Sequence, residues 1–183
     1  MDFYVNWVTQ NPILSAVIQF AILGTLGEFI SKWIVAKRVY SPFKFRIILW
    51  KMVVWSILAV CIKYAFVGFG GFVNALIESK YHLLPEIFQK DRTFWRAFAV
   101  SFFMNAQFGL FLVIFHRVLD NLVVKVKNWK GLDKGMLSLL WFWIPAHTVT
   151  FMLSKEFRIG LAALWSVVLG LILGYFNKRK VNN

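Results

Sequence analysis

The stretch Leu140–Gly174, LWFWIPAHTVTFMLSKEFRIGLAALWSVVLGLILG, decides the fold of this chain. Residues 135–154 and 159–177 contain no Asp, Glu, Lys or Arg, and they flank the charged tetrapeptide Lys155-Glu156-Phe157-Arg158. Each segment has about the 20 residues that a helix needs to cross a bilayer, whereas the tetrapeptide is long enough only for a turn. The stretch therefore predicts an antiparallel hairpin of two transmembrane helices, a structure that satisfies the backbone hydrogen bonds in lipid.

The second arm of this hairpin has a face of small residues. Ala162, Ser166, Gly170 and Gly174 recur at every fourth position, so they lie on one side of a helix. Small residues at this spacing let the backbone of another helix approach closely. Two interpretations are open: the face packs against a helix of the same chain, or it forms the seam of a homo-oligomer.

The composition defines the class of protein. Apolar residues make up 60% of the 183 residues and charged residues only 16%, which is more apolar surface than a soluble core of this size can bury. The net charge of +13 is spread over short basic clusters between apolar segments, without a helix-turn-helix or base-stacking pattern. We therefore expect membrane lipid as the main partner and no nucleic acid. Cys61 is the only cysteine, which excludes an intrachain disulfide and a cysteine-based metal site.

The apolar segments predict one transmembrane domain over residues 1–183. Its five helices are expected at about 12–33, 47–77, 97–115, 135–154 and 159–177. Residues 116–134 are basic, and their apolar positions fall near helical spacing, so they predict an amphipathic helix on the membrane surface. The expected fold class is an all-α polytopic membrane bundle of five transmembrane helices plus a basic interfacial helix.

The basic residues also predict the orientation in the membrane. With five spans, thirteen Lys and Arg fall on the side of residues 32–46, residues 117–134 and the C-terminal tail, and six fall on the other side. The positive-inside rule then places the C-terminus in the cytoplasm or matrix. No basic residue precedes Lys32, which favours a protein without a cleaved signal peptide. A bacterial inner membrane is the favoured location, and a mitochondrial inner or peroxisomal membrane is the alternative.

Ionisable side chains inside the hydrocarbon are costly and usually face the protein interior or water. The rise per residue places Glu28 on the first span and Lys51 on the second at similar depths, so they predict an interhelical ion pair. Lys32 and Arg46 are competing partners for Glu28. A structural ion pair and a gate that attracts cations both fit this arrangement.

Other polar residues are expected near the membrane midplane. Lys63 has no acidic residue at its depth, so it must snorkel, bond to carbonyl groups or face water. The remaining candidates are Gln19, Asn105, Gln107, His147, the helix-breaking Pro145 and, at the turn of the hairpin, Arg158. These residues either line a narrow water-filled path or form hydrogen bonds that hold the helices together. His147 has no second His or Cys at ligand spacing, so we expect no metal site.

The hairpin contains Trp143-Ile144-Pro145, then Thr150-Phe151, then Arg158 after the turn. Further motifs along the chain are Asn11-Pro12, Gly27-Glu28, Arg46 and Gly71-Phe72. In this pattern and in its length the chain resembles the Mpv-seventeen and peroxisomal-membrane-protein family. The resemblance implies a small integral membrane protein of the kind found in mitochondria and peroxisomes, with pores for the weakly selective passage of small solutes.

The expected function is therefore a channel or pore for small solutes or ions. A non-conducting membrane scaffold or stabilising subunit is the alternative, favoured by the small-residue face and the basic segment. Enzymatic activity is not expected, because Glu28 is the only acid within a span and acid–base catalysis usually needs a second group. The sequence also lacks Gly-x-Ser-x-Gly and His-Glu-x-x-His, and nothing in it predicts a cofactor.

Overall fold

A computed structural model describes residues 2–80, 82–90, 93–124, 127–129 and 131–181, with side chains of the last helix as far as Tyr175. Within these ranges the chain forms six helices and no strand. The helices are α1 (Asp2–Gln10), α2 (Pro12–Ala36), α3 (Phe45–Glu78), α4 (Phe94–Asn121), α5 (Leu132–Met152) and α6 (Lys155–Val181). Helices α2 to α6 are long and apolar enough to cross a membrane. The prediction of an all-α membrane bundle with five spans is confirmed.

Local chemistry explains where several helices begin and end. Pro12 lies in the first turn of α2, where a missing N–H costs nothing. Lys37 ends this helix in a left-handed conformation with φ of 56°. The hydroxyl of Thr93 accepts a hydrogen bond from the Arg96 N–H and so caps α4. After α5 ends, Arg158 Nε donates to the carbonyl of Leu153 at 2.9 Å and stabilises the turn of the hairpin.

The predicted surface helix over 116–134 is not found as a separate element. Residues 116–121 continue α4 to Asn121, and residues 127–129 lie outside any helix. Extending an existing helix needs no new nucleus, which favours continuation of α4 over a second helix. The Asn121 side chain then closes a turn, since its Oδ1 accepts from the Asn128 N–H at 2.9 Å. Lys125, Val126 and Lys130, which also entered the prediction, lie outside the described residues.

Two of the spans contain a π-helical segment, a feature that the sequence did not predict. The segments are Asn105–Gly109 in α4 and Leu139–Trp143 in α5. In α5 the N–H of Ile144 donates to the carbonyl of Leu139, five residues earlier. Pro145 follows directly and has no N–H to donate. A π turn is one way for a helix in lipid to satisfy the carbonyl group that a proline leaves without a donor.

The chain divides into two compact units. The first comprises residues 1–60 and 160–183, and the second comprises Cys61–Ile159. Helix α3 and helix α6 each contribute residues to both units. In the second unit, Phe94–Met104 of α4 packs against Ile144–Met152 of α5. The expectation that residues 1–183 form a single domain stays a prediction.

Candidate functional site

A cluster of polar side chains connects α4 and α5 in the second unit. Asn105 Nδ2 donates to the carbonyl of Ser101 at 2.8 Å and lies 3.2 Å from His147 Nδ1. Because an amide nitrogen only donates, His147 Nδ1 accepts, and the neutral ring carries its proton on Nε2. Ser101 Oγ donates to the carbonyl of Ile144 at 2.8 Å. Hydrogen bonds thus link α4 and α5 beside their π-helical segments, and we call Ser101, Asn105 and His147 the polar cluster.

Aromatic rings enclose the polar cluster. The Trp143 ring stacks on the His147 imidazole, with centroids 5.1 Å apart and an interplanar angle of 28°. Phe66 meets the same imidazole edge-on at 5.7 Å, and Phe151 lies 4.8 Å from Phe66. His147 is 8% exposed and Asn105 is 2% exposed. The hydrogen bonds of the cluster therefore lie in a medium of low dielectric constant, where they are strong and where an unpaired polar group is costly.

The two π-helical segments pack directly on each other. A Cβ added at Gly109, the last residue of the α4 segment, would lie 2.8 Å from Cδ2 of Leu139, the first residue of the α5 segment. A side chain at position 109 would therefore require the Leu139 side chain to move. Single π turns occur often at functional sites. Irregular backbone at membrane depth is tolerated where it is buried in protein or lines a water-filled cavity.

Gln107 lies on the same π-helical segment as Asn105 but does not join the polar cluster. Its side chain is exposed and lines an open groove of about 520 Å³. The other residues of this groove are almost all apolar: Cys61, Tyr64, Ala65, Gly68, Phe69, Phe72 and Phe108. The sequence placed Asn105 and Gln107 at similar depths, and the structure separates them by direction around the helix.

Glu28 and Lys51 form an ion pair in the first unit. Lys51 Nζ contacts Glu28 Oε2, and Trp55 Nε1 donates to Glu28 Oε1 at 3.0 Å. Both carboxylate oxygens thus have a partner on α3. The Lys51 side chain is 10% exposed and that of Glu28 is 23% exposed, so the pair is partly shielded. The competing candidates Lys32 and Arg46 are exposed. The structure therefore brings together the two residues that the depth argument paired.

Gln19 belongs to a helix contact in the first unit rather than to the polar cluster. The Tyr4 hydroxyl donates to Gln19 Oε1 at 3.0 Å, and Gln19 Nε2 donates to the Ser15 carbonyl at 3.0 Å. Burial raises the pKa of Tyr4 above its ordinary value, so the hydroxyl stays protonated and able to donate. A Cβ at Gly160 of α6 would lie 2.4 Å from this hydroxyl oxygen. The missing side chain at Gly160 makes room for the pair.

Three further candidate residues lie outside the polar cluster. Lys63 is half-buried on α3 and makes no hydrogen bond or ion pair with the part of the chain that the structure describes. Pro145 is exposed beside the π-helical segment of α5. The Arg158 guanidinium lies 5.7 Å from the centroid of the Phe151 ring, and its Nε bonds to the end of α5. Arg158 therefore supports the hairpin turn.

The small-residue face of α6 packs against α2 of the same chain. A Cβ at Gly170 would lie 2.2 Å from the carbonyl oxygen of Gly27, and one at Gly27 would lie 2.5 Å from that of Ser166. Ala162 and Gly174 are buried on the same face. The first of the two interpretations thus describes this face. A homo-oligomer through another surface stays a prediction.

Arg96 was missed as a buried polar residue of the third span, because the sequence placed it in the connection before that span. It lies in the first turn of α4 and is 8% exposed. Its Nη2 donates to the carbonyl of Gly70 on α3 at 3.0 Å, and its Nη1 to that of Phe88 at 3.4 Å. The sequence signal for an earlier start of the helix is Thr93, a good N-cap residue directly before Phe94 and the apolar segment. A helix begun there includes Arg96.

Comparison of the chain with protein-family models, with curated proteins and with solved structures gives no match. The resemblance to the Mpv-seventeen family therefore stays a prediction. The described residues define a class: a multi-pass helical membrane protein with a buried polar cluster between two spans that each contain a π-helical segment.

Proposed function

We propose that this protein is a channel or pore for small polar solutes or ions, with the passage beside the polar cluster. The single observation that carries the proposal is the buried hydrogen bonding of Ser101, Asn105 and His147 between α4 and α5, beside the two π-helical segments. A buried polar or ionisable group within a membrane span is expensive, and its usual explanation is a functional one. The resemblance to the Mpv-seventeen family supports the same function. The proposal includes no catalytic step.

Trp143 is the proposed gate of this passage. Its ring covers the His147 imidazole, and it is the last residue of the π-helical segment Leu139–Trp143. Conversion of this π turn to an α turn would rotate residues on one side of it by about 100° relative to the other. Since Trp143 ends the segment and His147 follows it, such a rotation would turn both rings together relative to α4, break the contact of His147 with Asn105 and expose the hydrogen-bonding groups of the cluster to a solute.

Removal of the Asn105 amide tests the passage. We expect Asn105→Leu to lower solute flux into liposomes about tenfold or more. The free energy of one hydrogen bond to a solute in a low-dielectric path corresponds to about this factor. The matched control is Gln107→Leu, which removes an amide from the same π-helical segment at an exposed position. It should leave flux unchanged. Flux is measured by light scattering of liposomes after an osmotic jump and by conductance across planar bilayers.

The two variants separate the proposal from its competitors. Loss of flux in Gln107→Leu but not in Asn105→Leu would place the passage in the groove and contradict the proposal. Helix content and elution volume must match the wild type for either result to count. Absence of wild-type flux at every voltage and pH would instead favour a non-conducting scaffold. That second candidate is supported by an exposed aromatic face on α4, where Phe94, Phe98 and Phe102 stack at 6.1 Å intervals.

The proposed orientation has the C-terminus on the cytoplasmic or matrix side, in a bacterial inner membrane or, as the alternative, in a mitochondrial inner or peroxisomal membrane. The excess of basic residues in the connections on that side supports it. In a bacterial host, we expect a fluorescent protein fused after Asn183 to fluoresce and alkaline phosphatase fused there to stay inactive. Active phosphatase would show that the C-terminus lies on the opposite side of the membrane.

A further inference from the structure

The connection between α2 and α3, residues 37–44, exposes a cluster of positive charges. Five basic side chains lie in it or at the helix ends beside it, and all five are exposed: Lys32, Lys37, Arg38, Lys44 and Arg46. The sequence has no Asp or Glu between Glu28 and Glu78, and Glu28 binds Lys51 and Trp55. The cluster therefore lacks acidic residues within its own segment. We call these five residues the basic patch.

Hydrogen bonds and aromatic contacts hold this connection in place. Trp33 Nε1 donates to the carbonyl of Tyr40 at 2.6 Å, and Ser41 Oγ donates to that of Phe43 at 2.9 Å. The Phe29 ring lies edge-on to both Trp33, at 5.7 Å, and Phe43, at 5.5 Å. The backbone of the connection is thus ordered by its own contacts. A ligand of the basic patch would not have to supply that order, which favours affinity.

The position of the charges also points to an anion. Lys44 and Arg46 flank the first residue of α3, Phe45, and the helix N-terminus already carries a partial positive charge. Acidic residues normally occupy such a place, and basic ones are unfavourable there. An anion bound between these side chains would relieve the repulsion among them and would interact favourably with the helix dipole.

We infer that the basic patch binds the phosphate headgroups of anionic phospholipids. It connects two spans long enough to cross a bilayer, so it lies at headgroup depth when both are inserted. Trp33 and Tyr40, which are hydrogen-bonded to each other beside it, are residues typical of the membrane interface. Clusters of four to eight Lys and Arg beside a span bind anionic lipids, and nothing in the patch offers the stacked aromatic platform that nucleic acid needs. This inference is independent of the proposed channel.

The test uses the full chain in nanodiscs of phosphatidylcholine, with and without phosphatidylglycerol. We expect phosphatidylglycerol to raise the midpoint of thermal unfolding and to stay bound in native mass spectrometry. The variant Lys37→Gln/Lys44→Gln/Arg46→Gln should lose most of this increase, because each juxtamembrane basic residue strengthens binding about fivefold. Arg38 is left in place because its guanidinium lies 5.2 Å from the Tyr40 ring centroid. High salt should reduce the wild-type effect.

A control variant removes the same charge elsewhere. Lys80→Gln/Lys90→Gln/Lys155→Gln neutralises three exposed lysines in or beside the other connections, and it should keep the wild-type response to phosphatidylglycerol. Equal loss in both variants would indicate a general effect of net charge and overturn the inference. The inference would also be overturned if phosphatidylglycerol left the wild-type midpoint of thermal unfolding unchanged. The same holds if inorganic phosphate raised this midpoint equally in phosphatidylcholine alone. If the triple variant does not fold, Lys44→Gln alone and the salt dependence of the wild type decide.

Discussion

Gly170→Ala is expected to lower the free energy of unfolding by about 2 kcal/mol, although alanine is the better helix former. The added Cβ would lie 2.2 Å from the carbonyl oxygen of Gly27, 2.7 Å from its carbonyl carbon and 2.9 Å from its Cα. All three are backbone atoms, which cannot rotate away as the end of a side chain can. Helices α2 and α6 must therefore move apart to accept a single methyl group.

Separation of α2 and α6 at Gly170 would also weaken the other close contacts between these two helices. The same interface contains the contact of Gly27 with the Ser166 carbonyl and that of Gly174 with the Ser31 backbone. In lipid, close packing of this kind is a main source of helix association, since burial of apolar surface supplies little. A larger side chain, as in Gly170→Leu, should therefore prevent the packing of α6 on α2 altogether.

Gly71→Ala provides the matched control, for which the expected change in the free energy of unfolding has the opposite sign. Gly71 is exposed on α3, and a Cβ there would have nothing within 4 Å. The change should stabilise the protein by up to about 1 kcal/mol through helix propensity alone. Both variants are measured by denaturant titration in detergent micelles, with circular dichroism as the signal. If alanine at 170 is as well tolerated as at 71, the close approach of α2 and α6 is wrong.

The features that the sequence predicted correctly depend on local, one-dimensional signals. Charge-free segments of the length of a bilayer locate the spans, because lipid leaves few other structures for such segments. The four-residue spacing of Ser166 and Gly170 fixes a shared face, whatever the partner helix is. The pairing of Glu28 with Lys51 followed from depth, because the rise per residue of a helix is nearly constant.

The features that the sequence did not predict depend on direction around a helix and on hydrogen-bond register. Gln19, Asn105 and His147 were expected at similar depths, yet only the last two meet. The π turns decide which residues face each other, and they depend on tertiary contacts such as that of Gly109 with Leu139. No periodicity in the sequence of one helix contains that information.

The ion pair of α2 with α3 should show strong energetic coupling. We expect Lys51→Met to lower the free energy of unfolding by about 2 kcal/mol, because it takes the lysine from the partly buried carboxylate of Glu28. Methionine keeps a similar length and apolar stem, so the loss reports the charge rather than a cavity. Trp55 Nε1 still donates to Glu28 but carries no charge to balance it.

The double variant Glu28→Gln/Lys51→Met should recover most of this loss. Glutamine keeps a carbonyl oxygen for the Trp55 N–H, and neither position then carries a charge. Replacement of a buried ion pair by neutral groups is often neutral or stabilising, whereas removal of one partner is not. The control is Lys32→Met, an exposed lysine one turn from Glu28, which should change stability by less than about 0.5 kcal/mol.

The size of this coupling also bears on the neighbouring connection. Lys51 Nζ lies 4.9 Å from the centroid of the Phe43 ring, so the ion pair and the aromatic support of the basic patch share a side chain contact. Lys51→Met should therefore loosen residues 37–44 and increase their hydrogen exchange, while the double variant, with the same methionine but no unbalanced charge, should restore protection. Additive effects of the two single changes would contradict the coupling and leave the connection supported by its aromatic contacts alone.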